Sequence, residues 1–166
     1  MRQLILVRHA KSDWSLPGQN DWDRPLNPRG QHDAPEMARR LRSRRIKPDR
    51  MLTSPAVRAI TTATIMAREL KVPASLLQPA EQLYLATPVD LLAVLRELGG
   101  SSKHLMVFGH NPGITEFANK LSAGETIDNM PTCAVFTALF DIKEWRALDW
   151  GQGADAQFDY PKNTSR

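Results

Sequence analysis

Short apolar runs alternate with amphipathic segments along this chain. Residues 4–7, Leu-Ile-Leu-Val, contain no polar position, which is typical of a strand buried on both faces of a sheet. Similar short apolar runs predict further strands at 51–53, 76–77, 105–108, 134–140 and 145–150. The pattern therefore predicts a sheet of buried strands.

Helices are predicted between these strands, and each of the four opens with a polar residue followed by proline. These pairs are Asn27-Pro28, Ser54-Pro55, Thr87-Pro88 and Asn111-Pro112, and each combines a capping side chain with a proline suited to the first helical position. The predicted helices cover about 28–45, 54–70, 87–98 and 112–121, and Pro35 is expected to kink the first. Alternating strands and helices predict an α/β fold, a three-layer αβα sandwich with a mainly parallel sheet.

The length of the chain limits its domain organisation. A chain of 166 residues fits a single domain, which we predict at 1–162, followed by a frayed tail at 163–166. The segment 11–27 contains two prolines and a glycine and is predicted as a long loop. Its two tryptophans, Trp14 and Trp22, either form a rim that receives a protein substrate or pack over the sheet, and packing is favoured.

Charge raises the possibility of a nucleic-acid partner. The chain has 22 Lys and Arg against 18 Asp and Glu, a net charge of +4, and a basic run at 39–45. Such a run is typical of a solvated helix face. No helix-turn-helix, RNA-binding aromatic motif or zinc knuckle accompanies it, so no nucleic-acid partner is predicted.

Cysteine content and hydropathy indicate the compartment. Cys133 is the only cysteine, which excludes an intrachain disulfide and a cysteine-based zinc cluster; it is predicted to be a core residue. No apolar run is long enough for a membrane span or a signal peptide. We therefore expect a cytoplasmic protein without a membrane partner, and a monomer because no heptad or long apolar patch is evident.

Histidine and arginine follow three of the predicted strands. Arg8 and His9 end the first strand, Arg58 lies in the first turn of the helix after the second, and His110 follows the fourth. The carboxyl ends of parallel strands meet at one edge of the sheet, where ligands of such folds bind. Any one of these residues alone is explained as a strand exit, a solvated helix charge or a loop histidine, but their combination favours a shared site.

This combination has the chemistry of phosphoryl transfer. Arginine forks and helix N-termini bind the phosphate dianion, and a histidine can attack phosphorus while a second stabilises the equatorial oxygens. The arginines supply the neutralising charge, so no metal and no cofactor are predicted.

Three segments resemble the motifs of one family. Residues 6–12, LVRHAKS, resemble the Arg-His-Gly signature of the histidine phosphatase (phosphoglycerate mutase-like) superfamily, with Ala10 in place of the usual glycine. Residues 54–63, SPAVRAITTA, and 108–113, FGHNPG, resemble its second block and its late Gly-His block. Residues 24–26, Arg-Pro-Leu, resemble the SixA-type phosphohistidine phosphatases, and the chain has no room for the inserted helical subdomain of larger relatives.

The resemblance implies roles for individual residues. His9 would be the nucleophile that becomes phosphohistidine, and Arg8, Arg58 and His110 would complete the phosphate pocket. The implied activity is that of a metal-independent phosphatase acting on phosphohistidine in a protein. One alternative is a phosphatase of small phosphate monoesters with Glu81, in a Glu-x-x-Tyr setting, as proton donor; Glu81 is equally well explained as a surface or cap acid.

An alternative from another class is a non-catalytic phosphate- or nucleic-acid-binding protein. Further substrate contacts are predicted for Lys11, Ser12 and Arg24, although a solvated loop explains the first two as well. The remaining polar residues singled out by the sequence have structural interpretations: Ser54 and Asn111 as helix caps, and His32 and His104 as incidental.

Overall fold

The computed structural model describes residues 1–124 and 126–164. Six strands are present in this part of the chain: β1 (Arg2–Arg8), β2 (Arg50–Thr53), β3 (Leu77–Pro79), β4 (His104–Gly109), β5 (Val135–Phe140) and β6 (Ala154–Asp159). The α-helices are α1 (Pro28–Ser43), α2 (Val57–Glu69), α3 (Pro88–Leu98) and α4 (Gly113–Leu121). Short 3-10 helices lie at Asp21–Asp23, Ala74–Leu76, Glu81–Leu83 and Trp145–Ala147.

The strands form one sheet in the order β3-β2-β4-β1-β5-β6. β1 pairs in parallel with β4, β4 with β2, and β2 with β3, whereas β5 runs antiparallel to both β1 and β6. The predicted mainly parallel sheet is confirmed. Because Val135 at the start of β5 pairs with Val7 near the end of β1, the segment before β5 also reaches the carboxyl edge of the parallel strands.

Side-chain alternation along β1 divides the core into two layers. Leu4 and Leu6 belong to a cluster with residues of α3 and α4, whereas Ile5 and Val7 belong to a cluster with residues of α1 and α2. Successive side chains of a strand point to opposite faces of the sheet, so β1 contributes equally to both clusters. The helices therefore cover both faces, and the predicted three-layer αβα sandwich is confirmed.

Two of the predicted helix starts have the expected chemistry. The Asn27 side chain accepts a hydrogen bond from Gly30 N at 2.8 Å, and Pro28 occupies the first position of α1, which continues unbroken through Pro35. Thr87 forms a capping box with Asp90 at the start of α3. These caps bind backbone N–H groups that the first helical turn leaves unpaired.

The other two predicted caps are wrong. α2 begins at Val57 with Ala56 at its N-cap, and α4 begins at Gly113 with Pro112 at its N-cap. The Asn111 side chain instead donates to the Met130 carbonyl oxygen at 3.0 Å and joins α4 to the segment before β5. Ser54 has a different partner, described with the candidate site.

The predicted strand at 145–150 is also wrong. Trp145 begins a 3-10 helix, is fully buried, and donates its indole N–H to the Ser102 carbonyl oxygen at 2.8 Å. The two buried apolar residues of this segment, Trp145 and Leu148, are three positions apart, which matches the period of a 3-10 helix rather than that of a strand. The actual sixth strand, β6, was missed because it is a largely exposed sheet edge and carries no apolar run.

Arg40 departs from the solvated face predicted for the basic run. Its side chain is buried and donates to the carbonyl oxygens of Tyr160 and Pro161, both at 2.9 Å, and it pairs with Asp159. This cation therefore fastens the segment after β6 to α1. Within the predicted tail, the Asn163 side chain donates to Asp159, and residues 165 and 166 lie outside the described part of the chain.

No helix within residues 1–124 and 126–164 has the length and apolar character needed to cross a membrane.

Gly113 provides a test of the packing of α4. A Cβ atom at this position would overlap the carbonyl oxygen of Ala86. Helix propensity alone favours alanine over glycine by about 1 kcal/mol. We expect Gly113→Ala nevertheless to lower the free energy of unfolding by about 1–3 kcal/mol in urea titrations, because the backbone contact must open. Gly124→Ala is the control, since its nearest atom would be Ser122 Oγ at 4.0 Å; a Gly113→Ala protein as stable as the parent would contradict the close contact.

Candidate active site

The carboxyl ends of β1, β2 and β4 bring the predicted residues together. Arg8 pairs with Gly109 across the β1–β4 ladder, and His9 N donates to the Gly109 carbonyl oxygen at 3.1 Å. Ser54 N donates to the Phe108 carbonyl oxygen at 3.0 Å, which fixes the exit of β2 beside that of β4. The ring centroids of His9 and His110 are 5.2 Å apart.

Backbone contacts fix the tautomer of His9. Its Nδ1 lies 2.7 Å from the Ala10 carbonyl oxygen, which can only accept a hydrogen bond, so Nδ1 carries the proton. Nε2 therefore has a free electron pair, and Arg58 Nε donates to it at 3.3 Å. Burial, with the charges of Arg58, Arg8 and Arg24, outweighs the bond to Ala10 and lowers the pKa of His9 to about 4. At neutral pH the ring is an uncharged potential nucleophile.

His110 has the opposite tautomer. Arg58 Nη2 donates to its Nδ1 at 3.3 Å, so the ring proton is on Nε2 and is donated to Ser54 Oγ at 2.7 Å. Burial, followed by the nearby His9 and Arg58, lowers the pKa of His110 to about 3. Ser54 is thus a residue that orients His110, and sequence reasoning missed this role because a Ser-Pro pair before a helix also describes a cap.

Arg58 is the central cation of the site and is almost completely buried. Besides both histidines, its guanidinium donates to the Asp21 backbone oxygen at 2.7 Å and to Asp21 Oδ2 at 2.9 Å. Thr62, one turn further along α2, donates to the Arg58 carbonyl oxygen and accepts from Ala10 N at 3.0 Å. The first turn of α2 is therefore tied to the residue that follows the potential nucleophile.

Arg8 is held in the site by the segment before β5. Its Nη1 donates to the Met130 carbonyl oxygen at 2.9 Å, while its Nε is buried without a hydrogen-bond partner among the described residues. Burial, together with the charge of Arg58, lowers the pKa of Arg8. A half-buried guanidinium with an unused donor is a suitable partner for an anion.

The long loop before α1 completes the site. Arg24, also buried, donates to Ser12 Oγ at 2.5 Å and to Asp21 Oδ1 at 3.2 Å. Its guanidinium carbon lies 3.3 Å from the centre of the Trp14 ring, a cation–π contact. Tyr84 donates its hydroxyl proton to Asp21 Oδ2 at 2.5 Å. Asp21 and Tyr84 were not identified as site residues from the sequence, and only the unusual length of the loop pointed to this region.

These side chains surround a cavity of about 280 Å³. The residues lining it are Arg8, His9, Lys11, Ser12, Trp14, Asp21, Arg24, Arg58, Leu85, His110, Asn111 and Thr132. A larger groove of about 1020 Å³ runs between residues 122–124 and 126–131 on one side and β6 on the other, and none of the histidines or arginines of the site lines it. The smaller cavity therefore has the chemistry expected for phosphate.

The sequence favoured packing of Trp14 and Trp22 over the sheet, but the structure places them elsewhere. Trp14 is 76% exposed beside Arg24, and Trp22 is 37% exposed with its ring 4.7 Å from that of Tyr84. Trp14 lines the cavity, whereas Trp22 lies outside its lining, against Tyr84. Cys133 is buried as predicted, and its backbone N–H donates to the carbonyl oxygens of Arg8 and His9.

The structure does not bring Glu81 into the cavity. Glu81 is an exposed residue of the 3-10 helix Glu81–Leu83 and is not among the residues that line the cavity. Tyr84, three residues further on, contacts Asp21 instead. Within the described residues, no group of three or more His, Cys, Asp or Glu side chains is arranged to hold a metal ion.

Comparisons with known proteins agree with this geometry. The sequence model of the histidine phosphatase superfamily, branch 1, matches residues 4–79, which include His9 and Arg58. An uncharacterized protein of Mycobacterium tuberculosis is 34% identical over 117 residues, which cover 70% of each chain.

Solved structures match over most of the chain. The protein assigned as phosphohistidine phosphatase SixA in Agrobacterium tumefaciens is 26% identical, with a TM-score of 0.75 over 84% of this chain and 92% of that one. A protein histidine phosphatase SixA complexed with tungstate is 24% identical, with a TM-score of 0.77 over 95% of this chain and 94% of that one. At that lower identity, the second likeness supports the fold alone.

Burial of two neutral histidines predicts a pH dependence of stability. An unfolded histidine binds its proton near its ordinary pKa of about 6.5, whereas the folded pKa values of His9 and His110 are about 4 and about 3. Between these limits the unfolded chain binds more protons, so the free energy of unfolding should fall as the pH falls below about 6.5. Urea titrations from about pH 7 to about pH 4.5 measure this slope.

A double variant, His9→Asn with His110→Asn, isolates the contribution of the two histidines. It lacks both ionisable rings but keeps the carboxylates that also titrate in acid. Its unfolding free energy should fall less steeply than that of the parent over the same pH range. Equal slopes in the two proteins would contradict the neutral, buried state of the histidines.

Proposed function

The chain belongs to the histidine phosphatase superfamily, and from that membership we propose that it hydrolyses phosphohistidine in a protein through a covalent intermediate on His9. The observation that carries the proposal is the state of the His9 ring. Its Nδ1 proton is bound by the Ala10 carbonyl oxygen, and its Nε2 electron pair faces the cation-rich centre formed with Arg58. The likeness to the Agrobacterium SixA supports the choice of substrate.

In the first step, Arg58 Nε moves its hydrogen bond from His9 Nε2 to a phosphoryl oxygen, and the electron pair of Nε2 attacks phosphorus. The arginines of the cavity hold the phosphoryl oxygens as charge spreads over them in the transition state. His110 Nδ1 accepts from Arg58 in the free protein. Once the dianion has raised its proton affinity, the ring takes a second proton from the solvent, donates it in a hydrogen bond to a phosphoryl oxygen, and returns it when phosphate departs. Ser54 maintains the orientation of that ring throughout.

The leaving group of phosphohistidine needs no separate proton donor. Its imidazole carries a proton on the nitrogen that is not bonded to phosphorus, so the P–N bond breaks and the electron pair returns to a ring that leaves neutral. His9 correspondingly becomes a phosphorylated, cationic ring. One imidazole thus replaces another on phosphorus. This exchange explains why the site does not need Glu81 in the cavity as a proton donor.

In the second step, water attacks the phosphorus of the His9 intermediate. The P–Nε2 bond breaks, its electron pair returns to His9, and both water protons leave on dihydrogen phosphate. The neutral ring, with Nδ1–H still bound to Ala10, is regenerated. This cycle uses the protein's own side chains and balances in charge and in protons.

The mouth of the cavity suits a large carrier of the phosphoryl group. Trp14 and Leu85, which line the cavity, are 76% and 54% exposed. Exposed apolar side chains beside a polar site favour contact with another protein surface. Small phosphate esters, the alternative substrates, would leave these side chains in water.

His9→Ala tests the proposal. In buffer containing EDTA, we expect the variant to lose at least about 10³-fold in kcat/KM for a phosphohistidine-containing protein, because no other group replaces the nucleophile. His32→Ala is the matched control, since His32 is an exposed histidine on α1. Rapid quenching of the parent enzyme should trap an acid-labile phosphoryl group on the peptide that contains His9.

The same assay compares phosphohistidine with aryl and alkyl phosphates. A higher kcat/KM for the phosphohistidine protein supports the proposed substrate, whereas a preference for alkyl phosphates would support the small-ester alternative. Unchanged turnover in His9→Ala would overturn the mechanism. Phosphate binding without turnover in the parent would identify a non-catalytic phosphate-binding protein.

A further inference from the structure

The cavity contains one carboxylate among its described lining residues. Arg8, Lys11, Arg24 and Arg58 bring four positive charges to the lining, and Asp21 alone brings a negative charge. In a site for a dianion, an anionic side chain weakens binding of the ligand. The position of Asp21 therefore requires an explanation beyond phosphate binding.

Asp21 makes the contacts that a phosphate would make. Its Oδ2 accepts from Arg58 Nη2 at 2.9 Å, and its Oδ1 accepts from Arg24 Nε and Nη2, each at 3.2 Å. Burial acts to raise the pKa of Asp21, but hydrogen bonds from Tyr84 and Arg58 outweigh this effect and lower the pKa to about 2. The carboxylate is thus an ionised side chain bound to two arginines of the cavity.

Asp21 also lies nearer the solvent than the potential nucleophile. His9 is 6% exposed, whereas the Asp21 side chain is 39% exposed. In-line displacement requires the leaving group to depart on the side of phosphorus opposite His9. The leaving group therefore departs toward the mouth, which is bordered by Trp14, Leu85 and the half-exposed Asp21.

We propose that Asp21 is a specificity-determining residue that selects phosphoramidates whose leaving ring is cationic while it is bonded to phosphorus, such as protonated phosphohistidine, over phosphate esters. The inference rests on the proposed function, since it concerns the substrate of the same site. A carboxylate next to a protonated imidazole stabilises the positive charge that makes the ring a good leaving group. An ester leaves as a neutral alcohol or through a developing alkoxide, which the same carboxylate repels.

Asp21 acts through its charge and neither gains nor loses a proton in the reaction. It accepts a hydrogen bond from the ring N–H of the substrate, and that proton stays on the leaving imidazole. The carboxylate also competes with inorganic phosphate for Arg58 and Arg24. Competition of this kind favours release of the product from a strongly cationic cavity.

Asp21→Asn tests the inference, because it removes the charge and keeps the size of the side chain. We expect kcat/KM for a histidine-phosphorylated peptide to fall about three- to tenfold, while kcat/KM for p-nitrophenyl phosphate rises. Binding of inorganic phosphate, measured by calorimetry, should tighten about three- to tenfold. Opposite effects on the two substrates separate selection by charge from a general loss of structure.

Two further variants serve as controls. Asp23→Asn removes the same charge from an exposed residue of the same 3-10 helix that does not line the cavity, and it should leave the ratio of the two kcat/KM values unchanged. Asp21→Glu keeps the carboxylate and should retain the preference for the phosphohistidine peptide. Thermal unfolding of each variant verifies that it is folded.

The outcomes distinguish this inference from the proposed function. Parallel losses on both substrates, an unchanged ratio, or unaltered phosphate binding in Asp21→Asn would overturn the role of Asp21 and leave a His9-dependent phosphatase intact. If the parent enzyme shows no His9-dependent turnover, the proposed function fails. The calorimetric measurement still tests the competition of Asp21 with phosphate in that case, because it requires no catalysis.

Discussion

The hydrogen bonds of the Arg58 guanidinium are the interactions on which the candidate site depends. This buried cation donates to His9 and His110 on two different strand exits and to Asp21 in the long loop. A buried charge is tolerated only where its donors are paired, so the surrounding segments must keep their relative positions. Thr62 strengthens the arrangement because it joins the first turn of α2 to the backbone of Ala10.

The electrostatic state of the histidines follows from this cation and its neighbours. Burial beside Arg8 and Arg58 makes a charged imidazole costly, so the pKa values of both rings fall well below the usual range. A neutral His9 is useful because its Nε2 keeps the electron pair needed for attack. A neutral His110 becomes a better proton binder when a dianion enters, so the same cations prepare the two rings for different tasks.

Local patterns in the sequence predicted most of the fold and the four central residues of the site. Buried strands such as 4–7 are short apolar runs, and a histidine or arginine directly after such a strand lies at the carboxyl edge of the sheet. Asp21 and Tyr84 could not be found in this way. These two residues are 63 positions apart in the chain. They meet only because the loop before α1 and the segment before α3 fold over the same edge of the sheet.

The errors of prediction have a related physical cause. Ser54 and Asn111 have the sequence context of helix caps, but neither caps its helix. Ser54 Oγ accepts from Ala56 N and also from His110, and the Asn111 side chain donates to the Met130 carbonyl oxygen, because tertiary partners compete with the helix backbone. β6 lacks an apolar run because it is an exposed edge, and Trp145 is buried by a 3-10 turn instead of a strand. A local pattern describes what a segment can do on its own, whereas a site assembled from several segments is determined by the contacts between them.

The excess of positive charge acquires a specific meaning from the cavity. Arg8, Arg24, Arg58 and Lys11 line a cavity of about 280 Å³. Cations at this density attract a dianionic phosphoryl group, but they also retain the phosphate product. A phosphatase needs the first effect and is slowed by the second. The carboxylate of Asp21, bound to Arg58 and Arg24, reduces the affinity for free phosphate in the proposed role and leaves Arg8 without a negative partner. The arrangement of positive and negative charges within the cavity therefore matters more for turnover than the total charge.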